Sequence, residues 1–317
     1  MIRFKVFDNF IVTIMGPTSA GKTRLAMQLF KKFPIQIISV DSVQIYKHLN
    51  VGSGKPNQEI LNEYPHSLIN ILEPNQSYST AKFQVDCIKA IKSSLEEEKI
   101  PILVGGTMMY FHHLINGISD LPEVKKITRK EIEEEFYANG IKKMYSYLKE
   151  IDLESANRIH PNDTQRIKRA IEIYRETGKQ MSILQKENMS KKHPLIEKSS
   201  ILQLSIIPKD LDAHRNLIAQ RFQKMIKEGL VEEVENILKI PEVDHESQSM
   251  KSVGYRQVCE FLRDEIDHDV MMERAINATR QLSKRQITWL KGWKNLISMD
   301  NDASLLLKVE DLIKSYK

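Results

Sequence analysis

Two periodicities alternate along the first third of the chain. Phe10-Ile-Val-Thr-Ile-Met15, Ile35-Gln-Ile-Ile-Ser-Val40 and Ile100-Pro-Ile-Leu-Val104 are nearly unbroken apolar or β-branched runs. That is the pattern of strands buried on both faces of a parallel sheet. Between them the apolar positions fall at helical spacing: Leu25, Ala26, Leu29 and Phe30 after the first run, then Phe83, Cys87, Ile88, Ile91 and Leu95 in a segment from Ser79 to Glu98. Ser79 or Thr80 can cap that second helix. Ser67–Leu72 has the texture of a short strand. From about Ser119 strand signals stop, and they return only at Ile201–Ile207. In the interval, His160-Pro-Asn-Asp163 ends one helix and caps the next, which runs from Thr164 to about Thr177 with Gly178 as its C-cap. Helices over Asp212–Lys227 (terminated by Gly229) and Met271–Lys294, then a short strand at Leu296–Met299, complete the pattern. The alternation predicts an α/β protein: a parallel sheet flanked by helices, residues 1–118 and 200–317, interrupted by a mostly helical insertion, residues 119–199.

The first strand runs into Gly16-Pro17-Thr18-Ser19-Ala20-Gly21-Lys22-Thr23, which fits G-x-x-x-x-G-K-[ST] and leads into a helix. Strand, glycine loop and helix are the context a phosphate-binding P-loop requires. Glycines let successive backbone N–H groups turn inward toward an anion, and the helix N-terminus adds partial positive charge. Lys22 reaches the terminal phosphate, and the Thr23 hydroxyl is placed to ligate Mg²⁺. The loop leaves open which polyphosphate is held and what becomes of it.

Three further stretches are expected at the same edge, because ligands in open α/β sheets sit beyond the carboxyl ends of the strands. Asp41 ends the second strand and is a candidate Mg²⁺ ligand, general base or turn cap. Gly105-Gly106-Thr107 follows the Ile100 strand; paired glycines suit close backbone approach, and Thr107 either faces the ligand or caps a helix. In the loop Val51-Gly-Ser-Gly-Lys-Pro56, Lys55 is a phosphate contact or a solvated cation. Arg215 and Arg221 on the returning helix could close over a phosphate.

Net charge changes the picture only slightly. At +5, with 41% hydrophobic and 28% charged residues, the chain reads as an ordinary globular protein that permits nucleic acid without demanding it. The basic residues are unevenly spread, however. Met271–Lys294 carries Arg274, Arg280, Lys284, Arg285, Lys291 and Lys294 against one acid, Glu273. A helix that basic lies near something anionic. Trp289 and Trp293, four apart, suit an anchoring role. Lys251–Arg256 combines glycine, two cations and an aromatic, as nucleic-acid loops do. In the insertion, a Lys-rich hinge that includes Arg129 precedes an acidic stretch, and Arg166 and Arg169 share a helix face. Spacing alone favours a solvated face there, with Arg169 pairing Glu172 or Glu176. Two cysteines, Cys87 and Cys259, make no disulfide framework. No run approaches a membrane span, and the start lacks a signal-peptide layout, so a cytoplasmic protein is expected.

A small-molecule kinase, a P-loop ATPase acting on nucleic acid and a transferase with a diphosphate leaving group all fit a P-loop. No apolar strand ends in Asp-Glu, as the ATPase would prefer; a lone Asp41 stands where a base would meet a nucleophile.

At this point the chain resembles the tRNA dimethylallyltransferases, or tRNA isopentenyltransferases, of bacterial type. The landmarks span nearly its whole length: Gly16–Thr23, Asp41-Ser-Val-Gln-Ile-Tyr-Lys47, Gly52-Ser-Gly-Lys-Pro56, Gly105-Gly-Thr-Met-Met-Tyr-Phe111, Arg158–Ala170, Val253-Gly-Tyr-Arg-Gln257 and Ala278–Trp293. Ser19-Ala20 reverses the family's commoner order, and Gly52-Ser-Gly-Lys replaces Gly-Thr-Ala-Lys; both keep small residues. The resemblance implies transfer of a dimethylallyl group from dimethylallyl diphosphate to N6 of the adenosine 3′ of the anticodon, in tRNAs reading codons that begin with U. It implies catalytic roles for Asp41, Thr107 and Arg221, and a diphosphate cradle at Gly16, Pro17, Thr18, Ser19, Ala20, Gly21, Lys22 and Thr23, with Mg²⁺ on Thr23. tRNA contacts are implied at Asp41, Ser42, Val43, Gln44, Thr107 and Arg129. They continue at Gln165, Arg166, Ile167, Lys168 and Arg169, at Lys251, Ser252, Val253, Gly254, Tyr255 and Arg256, and at Arg280, Lys284 and Arg285. The insertion would grip the anticodon stem-loop, and the protein is expected to act as a monomer. Adenylate isopentenyltransferases, which prenylate free nucleotides, are the main alternative; a nucleotide kinase is a more distant one.

Overall fold

A computed structural model describes residues 9–117, 121–187 and 192–316. The first eight residues and the expected junction at 118 and 119 lie outside them. The chain divides into two compact units, Met1–His113 with Pro194–Lys317, and Leu114–His193.

The first unit is built on β1 (Phe10–Met15), α1 (Lys22–Phe30), β2 (Ile35–Val40), α2 (Gln58–Glu63), β3 (His66–Ser67), α3 (Thr80–Glu96) and β4 (Ile100–Gly105). α4 (Met108–Asn116) leads into the second unit, which holds α5 (Lys126–Ile151), α6 (Leu153–Arg158), α7 (Thr164–Thr177) and α8 (Met181–Glu187). The first unit resumes with α9 (Pro194–Glu197), β5 (Ser200–Ile206), α10 (Leu211–Lys227), α11 (Leu230–Leu238), α12 (Tyr255–Leu262), α13 (His268–Lys291), β6 (Ile297–Met299) and α14 (Leu305–Ser315).

The strands form one sheet in the order β3-β2-β4-β1-β5-β6, every pair parallel. β1 and β4 are buried along their whole length, which is why their sequences run apolar without alternation. One face packs Val12, Ile14, Ile37, Ile102 and Leu204 against Leu25 and Leu29 of α1 and Val309 and Ile313 of α14. α3 covers β2 and β4 from its buried residues Phe83, Cys87 and Ile91, capped as expected by Ser79, whose side chain accepts from Lys82 N. No helix among the described residues is long and apolar enough to cross a membrane.

The strand expected over Ser67–Leu72 is only two residues long, His66–Ser67. Leu68 and Asn70 take left-handed backbone angles (φ 64° and 57°), which no strand accommodates. The segment instead bonds to the turn after β2, through Asn70 N to Gln44 O and Ile71 N to Ile45 O.

The second unit has its own core, with Ile132 and Phe136 of α5, Ala156 of α6, Ile167 and Ile171 of α7 and Leu184 of α8. α5 is broken at Gly140 (φ 72°, ψ 163°). Gly178 ends α7 in the left-handed conformation, as the sequence predicted. Asp152 is 1% exposed. Its carboxylate accepts from the N–H and hydroxyl of Ser155 and from the N–H and hydroxyl of Ser182. One buried acid thereby ties the first turn of α6 to that of α8.

Candidate active site

Sheet register brings the expected residues together. Met15 lies opposite Gly105, and Gly105 opposite Val40. All three strands run the same way, so Gly16, Asp41 and Gly106 leave the sheet side by side. The approach is tight: a Cβ on Gly105 would stand 1.9 Å from Val40 O, and one on Gly16 2.7 Å from Ile206 O. Both positions therefore require glycine, and at Gly105 the close approach expected of the glycine pair is to the neighbouring strand.

Above this edge lies a cavity of about 730 Å³ lined by the P-loop, Asp41, the 52–54 loop and parts of α10 and α13. Gly21 adopts φ 87° and caps α1, its carbonyl accepting from Leu25 N. Lys22 Nζ donates to Pro17 O at 2.6 Å. Desolvation holds its ammonium down at about 8; Asp41 pulls the value up and Arg221 pushes it down further. Thr23, the first-turn hydroxyl, lines the cavity.

Arg221 reaches the loop from α10, and its Nη1 donates to Thr18 Oγ1 and Ser19 Oγ, each at 3.3 Å. Burial lowers its pKa, and Asp41 opposes that shift. Its guanidinium lies over Gly54, where a Cβ would come within 1.8 Å of Nη2. Arg215 does not line the cavity; it is exposed and ion-paired with Asp212 at 2.8 Å. Of the two arginines, Arg221 is the one that reaches the P-loop.

Asp41 is the only carboxylate among the lining residues. Its Oδ1 accepts from Val43 N at 2.8 Å and Gln44 N at 3.2 Å. It is thus a turn cap through one oxygen, with the other left for different work. Thr107 does not cap α4 with its side chain. Its Oγ1 accepts from Ser42 N at 3.1 Å and bonds Ser42 Oγ at 3.4 Å, tying the β4 end to the residue after Asp41.

Three roles were not legible in the sequence. Lys55 is neither a phosphate contact nor solvated: Nζ donates to Tyr46 O, Asn50 Oδ1 and Asn70 Oδ1. Desolvation holds its pKa at about 8. Glu233 of α11 receives the N–H groups of Asn50, Val51 and Gly52 and the hydroxyl of Tyr255, fixing the loop that carries Gly54. Gln286 of α13 bonds both the P-loop and the end of β4. Nothing in the pattern of α11 separates Glu233 from Glu232 or Glu235; Gln286 is one polar residue in a basic helix.

The expected RNA-facing residues are dispersed. Ser42, Val43 and Gln44 form the turn beside Asp41. In the second unit Gln165 and Arg166 are exposed on α7. Arg166 pairs with Asp163, Arg129 and Arg169 share Glu172, and Lys168 pairs with Glu133, so the solvated-face pairing holds for the bare protein. Ile167 is 0% exposed in the core of that unit, and its side chain does not offer the contact expected of it. Tyr255 is likewise 0% exposed. Gly254 is the N-cap of α12 and Tyr255 its first residue, so Lys251–Arg256 is loop only over its first part. Lys251 and Arg256 are exposed and pair with Glu246 and Glu260; Ser252 and Val253 are half-buried between them. Arg280 is half-buried with its Nε unbonded, while Lys284 and Arg285 are exposed and without ion pairs among the described residues. Trp293 anchors α13 by donating to Gln203 Oε1 of β5.

The structure is similar to the full-length tRNA isopentenylpyrophosphate transferase from Bacillus halodurans, with a TM-score of 0.70 and 27% identity over 97% of this chain and 96% of that one. It is similar to the tRNA delta(2)-isopentenylpyrophosphate transferase from Staphylococcus epidermidis, with a TM-score of 0.69 and 29% identity over 98% of this chain and 100% of that one. A eukaryotic dimethylallyltransferase acting on tRNA shares the fold, with a TM-score of 0.77 and 24% identity over 97% of this chain and 80% of that one. The family model described as IPP transferase matches residues 44–293, and the chain belongs to that family.

Proposed function

We propose that this enzyme transfers a dimethylallyl group from dimethylallyl diphosphate to the exocyclic N6 amine of the adenosine immediately 3′ of the anticodon, in tRNAs reading codons that begin with U. The product is N6-dimethylallyladenosine. The observation that carries the reading is one cavity that holds an anion cradle and a single carboxylate: Lys22, the P-loop and Arg221 together with Asp41. P-loop kinases and nucleotide hydrolases also set an acid and an arginine beside the loop lysine; the match to the IPP transferase family and the likeness to tRNA isopentenyltransferases favour transfer to a weak amine nucleophile.

In this mechanism the P-loop N–H groups, Lys22 and Arg221 hold the diphosphate and stabilise the charge that gathers on it as the C–O bond breaks. The amine nitrogen attacks the allylic carbon, and its proton passes to the Asp41 oxygen not used by the turn. Thr107 and Ser42 hold the acceptor side in place. Mg²⁺ belongs to the reading: Thr23 supplies a hard oxygen in the cavity, and phosphate oxygens would complete the shell, since no cluster of His, Cys, Asp or Glu suited to a metal occurs among the described residues. The ion would neutralise charge on the leaving diphosphate. Gln165, Arg166 and Arg129 on the second unit would meet the anticodon stem-loop, exchanging their carboxylate partners for phosphates. Lys251, Arg256, Arg280, Lys284 and Arg285 would meet its backbone. A base in a loop is a low-cost target for flipping into such a site. The reading places the enzyme in the cytoplasm, in keeping with two buried, unbridged cysteines, and has it act as a monomer.

The test is transfer of labelled dimethylallyl diphosphate, with Mg²⁺, to unmodified tRNA beside AMP and ATP. Label in tRNA alone is expected; label in AMP or ATP would move the enzyme to free-nucleotide acceptors. Asp41→Asn should lower turnover at least a hundredfold, and near-normal turnover would remove Asp41 as the base.

A further inference from the structure

We propose that Gln286 is a positioning residue that sets the distance between the donor and acceptor halves of the site. It is 8% exposed, on α13. Its Oε1 accepts from Thr18 N at 2.9 Å, and its Nε2 donates to Gly106 O at 2.8 Å. A single planar amide therefore spans from the diphosphate cradle to the end of β4. Both ends matter. The hydroxyl of Thr18 accepts from Arg221, so the P-loop residue held by Gln286 is also one of the two that meet the cradle's arginine. Gly106 precedes Thr107, whose hydroxyl holds Ser42 N–H next to Asp41. The fit is close: a Cβ on Gly106 would stand 2.5 Å from Gln286 Nε2.

The chemistry explains why an amide is needed. Thr18 offers a donor and Gly106 an acceptor, so the bridge must accept at one end and donate at the other. A carboxylate cannot donate, and a thioether of the same length does neither in strength. Asparagine is one methylene too short to span the gap.

The inference rests on the transfer reading above. There the nitrogen lone pair forms the N–C bond as the C–O bond breaks, the electron pair leaves on diphosphate, and the proton goes to Asp41. Such a displacement depends on the separation of nucleophile and leaving group, and a misplacement of about 1 Å costs roughly a hundredfold in rate. Fixing Thr18 against Gly106 fixes that separation. Lys284 and Arg285 directly precede the clamp and are exposed, so an RNA backbone held by them is registered against the same side chain.

Gln286→Met and Gln286→Glu, both near-isosteric, are the variants to compare with the full-length enzyme. The expected result is a fall in kcat of about 30- to 100-fold, with, in Gln286→Met, KM for tRNA and donor, and Kd for inorganic diphosphate with Mg²⁺, within about threefold of the parent; Gln286→Glu, whose added charge also repels diphosphate, is compared at saturating donor. With the spacing loosened, water takes the place of the amine at the allylic carbon. Dimethylallyl alcohol and diphosphate are then released, and the share of donor lost that way rises at least tenfold. Unchanged kcat and unchanged partition in both variants would overturn the proposal, as would a loss of diphosphate affinity parallel to the loss of rate in Gln286→Met, since that marks a purely structural role. If either variant lowers the melting temperature by more than about 10 °C, the other decides. A parent enzyme that transfers nothing to tRNA would refute the transfer reading itself, before any variant is compared.

Discussion

Substituting alanine for Gly54 should imitate the loss of Arg221. Gly54 sits at φ +60°, and an added Cβ would lie 1.8 Å from Arg221 Nη2 and 3.0 Å from Cζ. The neighbour is the end of a flexible side chain, so the guanidinium moves and the fold survives. Moving it breaks its contacts to Thr18 and Ser19, each already 3.3 Å, and takes a charge-assisted donor from the cradle. Hydrogen bonds to charged groups are worth about 2 kcal/mol, so diphosphate affinity should fall roughly thirtyfold. Alanine in the left-handed region adds about 1 kcal/mol of strain, or a drop of about 3 °C in melting temperature for a unit of this size. Calorimetric titration with dimethylallyl diphosphate and Mg²⁺ reads the first effect, and a thermal melt the second. The cycle with Arg221→Ala separates cause from coincidence: once the guanidinium is gone, Gly54→Ala should cost no further affinity. Equal losses in both backgrounds, or parental affinity in Gly54→Ala alone, would refute the reasoning.

Two further outcomes follow from buried charge. Desolvation holds Lys22 down at about 8, and bound diphosphate favours its ammonium form, so affinity should be flat between about pH 7, above the ligand's own last ionisation, and about pH 8, and fall as pH rises further. Binding at pH 8.5 should then take up protons, measured as a dependence of the calorimetric heat on buffer ionisation; Lys22→Arg should abolish that uptake, and if it persists, Lys55, also held at about 8, is the source. For Asp152, burial alone would raise the pKa, but its bonds to Ser155 and Ser182 outweigh that and leave it lowered. A carboxylate shifted down contributes stability that is present above its unfolded value near 3.8 and is lost as pH falls through the folded one. Because that carboxylate accepts four hydrogen bonds, Asp152→Ala should cost about 3 kcal/mol. The loss should appear as faster hydrogen exchange of the first-turn amides of α6 and α8 in the full chain, and parental protection there would contradict it.

What the sequence made legible shares one physical origin, which is local pattern. The buried strands, the P-loop, the Ser79 cap and the Gly178 terminator each depend on residues within a few positions of one another, and each stands where pattern put it. The strand at Ser67–Leu72 failed because left-handed residues at Leu68 and Asn70 follow from bonding to the turn after β2, over 20 positions away.

The site shows the same division at higher resolution. Asp41 and the glycine pairs could be found because strand ends converge in any parallel sheet, so position along the chain implies position in space. Glu233, Lys55 and Gln286 could not. Glu233 and Gln286 act on backbone groups of distant segments, and main-chain N–H and C=O groups carry no mark in sequence; Lys55 is spent on Tyr46 O and two asparagine side chains. Glu233 reads as one acid of three on a short amphipathic helix, yet it gathers the N–H groups of a loop some 180 residues earlier. Gln286 bridges Thr18 and Gly106, at separations of 268 and 180 residues. The groups that do chemistry announce themselves by residue type, while those that hold the chemistry at its working distance are ordinary polar residues whose meaning is the geometry they close. Tyr255 makes the same point from the other side. An aromatic between cations in a glycine loop has the composition of an RNA contact, but it is wholly buried, spending its hydroxyl on Glu233. Its ring also fills the space beside Gly52, where a Cβ would come within 2.6 Å of it. Composition drew attention to the neighbourhood, and only packing could tell which of its side chains face outward.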